Sequence, residues 1–219
     1  MRERSVVTSR PYRGPRLDQG ASEDDPRLFF AVRLADETTA AVAALVDDVR
    51  QEVEARTPEP RSEVRWVRMD GLHLTLRFLG PTNPDRVAVL RQILDETAAE
   101  ATAFTVRVHE AGAFPSVARP RTLWLAIQDG QSELAALATG LARRLDAEGW
   151  HRDDRPFQAH LTLARADGRR EGPLVARLLA ERAASFDATS PVDRLVLFES
   201  VTGGGPARYV EKHEAALGG

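Results

Sequence analysis

The string His-Leu-Thr-Leu occurs twice in this chain, at His73–Leu76 and again at His160–Leu163. Imidazole, with an ordinary pKa of about 6.5, can give or take a proton at neutral pH. A threonine two residues later adds a hydroxyl that can donate to an oxygen gaining charge. Two imidazoles and two hydroxyls suit the opening of a 2′,3′-cyclic phosphodiester. That reaction needs a base for the attacking water and an acid for the departing ribose oxygen, one on each side of phosphorus. It needs no metal and no organic cofactor, so the expectation is none of either. A single such histidine would be read as a hydrogen-bonded strand residue; the matched pair is what points to chemistry.

Positioning these groups requires strands. Side chains on a strand alternate, so His73 and Thr75 share one face while Leu72, Leu74, Leu76 and Phe78 share the other. The second copy repeats this, with His160 and Thr162 against Leu161 and Leu163. Two such strands facing each other across a groove would bring the four polar groups together. Arg77 continues the His73 parity, which gives it reach to a phosphate or an RNA backbone; an exposed arginine at a strand end fits the same pattern. Arg165 breaks parity with His160 and Thr162, so without a bulge it points to the leucine face and reads as a buried or rim ion-pair former rather than a catalytic group.

Other candidates carry blander readings. His109, His151 and His213 lack the following threonine, and His109 sits on what reads as a solvated strand face. His151 with Asp153 and Asp154 is too sparse a set for a metal site. Trp66, Phe78, Trp124 and Phe157 are the aromatics nearest the motifs; each can stack on a base, though core packing accounts for each as well. The glycines at 203–205 lack the Gly-Lys-Ser/Thr of a phosphate loop and read as a hairpin turn.

The elements that must hold these residues are legible in the hydrophobic pattern. Residues 1–26 have almost no apolar periodicity and read as a disordered tail, leaving 27–219 as one domain. From Leu28 on, strands are predicted at LFFAVRL, VRWVRMDGLHLTLRFLG, FTVRVHEAGAF, RTLWLAIQ and HLTLARA. Amphipathic helices are predicted at DETTAAVAALVDDVRQEVEAR with Asp36 as N-cap, PDRVAVLRQILDETAAEA with Pro84 at its start, SELAALATGLARRLDAEG ending at Gly149, and GPLVARLLAERAASF. VDRLVLFES and ARYVEKHEAAL close the chain as an antiparallel pair. Strands and helices mix without strict alternation, so the fold class is α+β.

Composition narrows the function classes. The absence of cysteine removes thiol catalysis and disulfides, and no apolar run is long enough to span a bilayer. The expected location is the cytoplasm. A net charge of −3 argues against coating a long duplex. The acid, however, is concentrated in the first predicted helix, while the segments flanking both motifs are basic, which suits a cleft that attracts an RNA end.

The chain resembles the two-histidine phosphoesterase superfamily, and within it the LigT-like RNA 2′,3′-cyclic phosphodiesterases, the "2′-5′ RNA ligase" family. The resemblance covers roughly residues 27–217 and rests on RLFFAVRL, HLTLRFLG, AFPSVARPRTLWLAI, RPFQAHLTLAR and VDRLVLFESVTGGGPARY. It implies two pseudo-symmetric lobes of antiparallel sheet with helices outside, forming a V-shaped cleft with one motif on a central strand of each lobe. It implies His73 as proton donor, His160 as proton acceptor, and Thr75 and Thr162 as phosphate contacts. Ala159, where many relatives carry proline, is a departure that removes no reactive group. The implied activity is hydrolysis of RNA terminal 2′,3′-cyclic phosphates to 2′-phosphomonoesters by a monomer. The alternatives are reversible 2′-5′ RNA ligation, action on a small cyclic nucleotide, and non-catalytic binding of RNA ends.

Overall fold

The computed structural model describes residues 20–57, 64–151, 156–166, 171–203 and 206–218. In chain order the elements are β1 (Arg27–Arg33), α1 (Asp36–Arg56), β2 (Arg65–Trp66), β3 (His73–Pro81), α2 (Val87–Ala99), β4 (Phe104–Phe114), β5 (Thr122–Ile127), α3 (Gln131–Ala147), β6 (His160–Arg165), α4 (Gly172–Ala183), β7 (Asp187–Val192), β8 (Arg194–Val201) and β9 (Arg208–Ala216). Short 3-10 turns at Met69–Gly71 and Pro84–Arg86 lead into β3 and α2. Of the segment read as a tail, residues 1–19 lie outside the described residues. Residues 22–25 form a turn, and the Pro26 carbonyl accepts from the Thr82 N–H.

Two antiparallel sheets carry the molecule, in strand order β3-β1-β8-β9 and β2-β6-β5-β4-β7. β1 shows why the first sheet has two different faces. Leu28, Phe30 and Val32 enter the main core, while Phe29 and Ala31 join a small cluster with Val196, Phe198 and Tyr209 on the opposite face. The helices are exchanged between the sheets. α1 follows β1 of the first sheet yet packs with α4 against β7 and β4 of the second; α3 follows β5 of the second yet packs with α2 behind β3 and β8 of the first. Leucines and valines from both sheets therefore share one core, which locks the two lobes together.

Several expectations change. β3 is the edge strand of its sheet and β6 is next to an edge, so the motif strands are not central. Their positions let β3 pack beside β6, which is how the two lobes meet at the motifs. The N-cap of α1 is Ala35, whose N–H donates to the Ser190 hydroxyl at 2.8 Å; Asp36 is the first helical residue. α2 proper begins at Val87, because Pro84–Arg86 form a 3-10 turn capped by the Asn83 side chain. α3 ends two residues before Gly149, whose positive φ of 79° turns the chain out of the helix. β7 has no counterpart among the predicted strands, since DATSPV shows no apolar alternation and contains Pro191. It pairs only with β4, at an edge, where a proline is tolerated. Among the described residues, no helix is long and apolar enough to cross a membrane.

Candidate active site

His73 is the first residue of β3, immediately after the turn that ends at Gly71 and Leu72. Its Nδ1 lies 2.7 Å from the Gly71 carbonyl oxygen. His160 opens β6 in the same way, with Nδ1 2.7 Å from the Gln158 carbonyl. A carbonyl only accepts, so in both neutral rings the proton sits on Nδ1 and Nε2 presents its lone pair. The Thr75 hydroxyl is 3.1 Å from Nε2 of His73. Behind each polar pair the leucines are buried: Leu74 and Leu76 on β3, Leu161 and Leu163 on β6. Strand parity thus holds through both threonines.

Beyond the threonines it fails, on both strands and for the same reason. The β1–β3 register runs from Ala31 opposite Thr75 to Phe30 opposite Arg77, leaving Leu76 as an extra residue. This bulge reverses the alternation. Phe78 consequently turns to the His73 side, where its ring stacks 6.3 Å from Phe29 beneath the Arg27 guanidinium, while Arg77 turns away. The Arg77 guanidinium donates to the His151 carbonyl, and its buried Nε has no hydrogen-bond partner. Arg77 is therefore not placed beside His73 and Thr75, contrary to the parity argument. On β6, Trp124 opposes Thr162 and Leu123 opposes Ala164, so Leu163 is the extra residue. Here the bulge swings Arg165 to the His160 side, where it is exposed and its charge reaches His160 and Tyr209. The Arg165 Nη1 donates to the Thr122 hydroxyl at 2.7 Å, which fixes the head group. Arg165 stands on the His160 face, where alternation alone did not place it, and a Leu-Ala-Arg run after a threonine carries no signal for a bulge.

Each histidine has its own surroundings. The His73 ring is enclosed by Phe29 at 4.8 Å, Tyr209 at 4.7 Å and Phe198 at 5.9 Å between centroids. Burial pushes its pKa down to about 4; the Gly71 hydrogen bond opposes this and the Arg33 charge adds to it. His160 meets Phe114 at 5.2 Å and Trp124 at 6.4 Å, and burial also lowers its pKa, opposed by the Gln158 bond and assisted by Arg165. The Trp124 indole lies flat on Gly112, where a Cβ would come 2.3 Å from the ring. Trp124 and Phe157 line one cavity of about 250 Å³ with Gln131 and Gln158, and Trp66 packs at the edge of the core.

The remaining histidines are held elsewhere. His109 bonds the Phe186 carbonyl at 2.8 Å, and His213 pairs with Asp95 at 2.7 Å, tying β9 to α2. Asp153, Asp154 and two of the three turn glycines lie outside the described residues; Gly203 lies within them. Among the described residues no cluster of three or more His, Asp or Glu side chains is placed to hold a metal.

The sequence profile of the 2′-5′ RNA ligase superfamily matches residues 38–204, spanning both motifs and the elements between them. The chain belongs to that superfamily. It is 33% identical to the RNA 2′,3′-cyclic phosphodiesterase of Archaeoglobus fulgidus over 63% of this chain and 77% of the relative. The Aquifex aeolicus RNA 2′,3′-cyclic phosphodiesterase is 27% identical over 83% of this chain and 94% of its own length. Among solved structures, Escherichia coli LigT complexed with 3′-AMP superposes with a TM-score of 0.67 at 26% identity, covering 88% of this chain and 99% of that one. The superfamily's α+β arrangement of two antiparallel sheets and four helices is the one found here.

Proposed function

We propose that the protein hydrolyses terminal 2′,3′-cyclic phosphodiesters on RNA to 2′-phosphomonoesters, with His73 and His160 as the proton-transfer pair. The observation that carries this is the matching setting of the two histidines: each opens a strand and spends Nδ1–H on the carbonyl two residues back, which keeps Nε2 for proton transfer, that of His73 with the Thr75 hydroxyl at 3.1 Å. Relatives named RNA 2′,3′-cyclic phosphodiesterase and a LigT structure holding 3′-AMP support the substrate class.

In this reading Nε2 of His160 takes a proton from water as its oxygen attacks phosphorus. The bond from phosphorus to O3′ breaks, and protonated Nε2 of His73 gives its proton to that oxygen. Thr75, Thr162 and Arg165 face the non-bridging oxygens, whose charge shifts during the step. Burial keeps His73 uncharged in the free protein at neutral pH; the phosphodiester anion favours its protonated form, so substrate charges the acid it needs. Phe78, exposed on the same face beside Arg27, is the platform for the terminal base. Arg77 has no part in the site.

Turnover of an oligonucleotide ending in 2′,3′-cyclic phosphate, with identification of the phosphomonoester formed, tests the proposal. Binding without turnover by the wild-type protein would make it an RNA-end binding module instead. The roles separate with catechol cyclic phosphate, whose leaving oxygen needs little protonation: it should rescue His73→Ala far more than His160→Ala, and the opposite pattern would reverse donor and acceptor. The scheme runs on proton transfer alone, so activity should survive exhaustive dialysis against EDTA. A large loss restored by a divalent ion would refute that.

A further inference from the structure

We propose that Tyr209 is a positioning residue for His73, its phenol ring packing on the imidazole and against Gly71, whose carbonyl orients it. The inference rests on His73 being a proton carrier, as above. Tyr209 lies near the start of β9, opposite Ser200 of β8. Its ring meets the His73 ring at 4.7 Å between centroids and 85°, an edge contact, and meets Phe29 at 5.3 Å and 81°. The same ring lies against the backbone of Gly71, where a Cβ would come 2.8 Å from its Cδ2 atom. Gly71 supplies the carbonyl that accepts the His73 Nδ1–H. One side chain therefore packs on the imidazole and beside the residue whose carbonyl sets its tautomer, and the absence of a side chain at residue 71 is what leaves room for it.

The other walls around His73 come from the buried faces of β1 and β8, through Phe29 and Phe198. Tyr209 is the half-buried wall, contributed by the last strand. The charged groups around this corner are Arg33 of β1, Glu211 of β9 and Arg165 of β6. Arg33 is paired to Glu211 at 2.5 Å with its guanidinium over Phe198, and Arg165 lies within electrostatic reach of the Tyr209 hydroxyl. With the phenol ring removed, water reaches the imidazole and the ring gains freedom to rotate. Its proton affinity then rises toward the ordinary value, and its alignment with the leaving oxygen is lost.

Three variants test this, with circular dichroism reporting that each folds. Tyr209→Leu should lower kcat by about 10–100-fold with little change in KM. In the same variant the His73 imidazole resonances should titrate well above the wild-type value of about 4, toward 6.5. Tyr209→Phe, which keeps the ring, should retain both properties. Gly71→Ala, which displaces the ring with Tyr209 still present, should reproduce the leucine variant. An unchanged titration and kcat in Tyr209→Leu would overturn the proposal, and so would damage in Tyr209→Phe equal to that in Tyr209→Leu, since the hydroxyl would then act for itself. The titration is read without substrate, so it stands even if the wild-type protein proves inactive on cyclic phosphates, a result that would count against the proposed reaction alone.

Discussion

At the scale of the residue, the two histidines differ in how much water they lose, and this sets the pH dependence. Burial lowers both, His73 to about 4. If His73 must be protonated and His160 neutral, kcat/KM, which reports the free enzyme, should peak below pH 6.5 and fall on either side. The kcat profile should lie at higher pH, because bound phosphate favours the charged imidazole. A kcat/KM maximum in the alkaline range would refute this assignment. Replacing either histidine with alanine should cost about 10²–10⁴-fold in kcat, and the double variant far less than the product, since the pair acts as a unit. Thr75→Val and Thr162→Val keep the branched shape and remove a donor, for an expected loss of about 10²–10³-fold in kcat. Wild-type kcat in both would make the hydroxyls structural.

At the scale of the element, the two bulges decide which arginine shares a face with its motif histidine. Alternation assigns Arg77 to the polar face and Arg165 to the leucine face; one extra residue in each strand exchanges them. The pseudo-symmetric positions then hold unlike groups, Phe78 on β3 and Arg165 on β6. This gives a paired test. Arg165→Met should impair turnover of a cyclic-phosphate oligonucleotide at least tenfold, as expected for a lost charged contact to phosphate. Arg77→Met should leave KM and kcat near wild type and act on stability instead, through loss of its hydrogen bond to the His151 carbonyl. Equal kinetic damage from both would mean that Arg77 reaches substrate after all.

At the scale of the whole molecule, a buried neutral imidazole makes stability depend on pH. The unfolded chain protonates His73 near 6.5 and the folded chain near 4, so the unfolded state binds more protons between these values. Its contribution is fully present above pH 6.5 and is lost as pH falls toward 4; at about 1.4 kcal/mol per unit this amounts to roughly 3 kcal/mol. Urea unfolding at pH 7.0 and pH 4.5 reads it. Carboxylates such as Asp187 and Glu100, held low by Arg107 and Arg144, weaken in the same acid range, so the comparison is with His73→Gln. That variant should lose about 2 kcal/mol less than wild type over the interval. Parallel losses in the two proteins would show that His73 is not held neutral by the fold.

The sequence by itself determined most of the elements and singled out the candidate reactive groups. The repeated His-Leu-Thr-Leu singles out the paired histidines and threonines, and period-two and period-3.6 apolar patterns are local properties that survive any arrangement in space. They locate β1, β3, β6, β8, β9 and the four helices to within a few residues. β7 escaped because an edge strand needs no apolar alternation and tolerates Pro191. What only the tertiary structure decided depends on pairing between distant segments. The bulges at Leu76 and Leu163 exist because β1 and β5 set the register, so the facing of Phe78, Arg77 and Arg165 is written in partners some 40 residues away. The exchange of α1 and α3 between sheets and the meeting of β3 with β6 are choices of packing, made by the shared core. Tyr209 stands 136 positions after His73 in an unremarkable ARYVEK stretch; no local pattern ties the two, and only the closing of β9 onto β8 brings its ring against Gly71 and the imidazole.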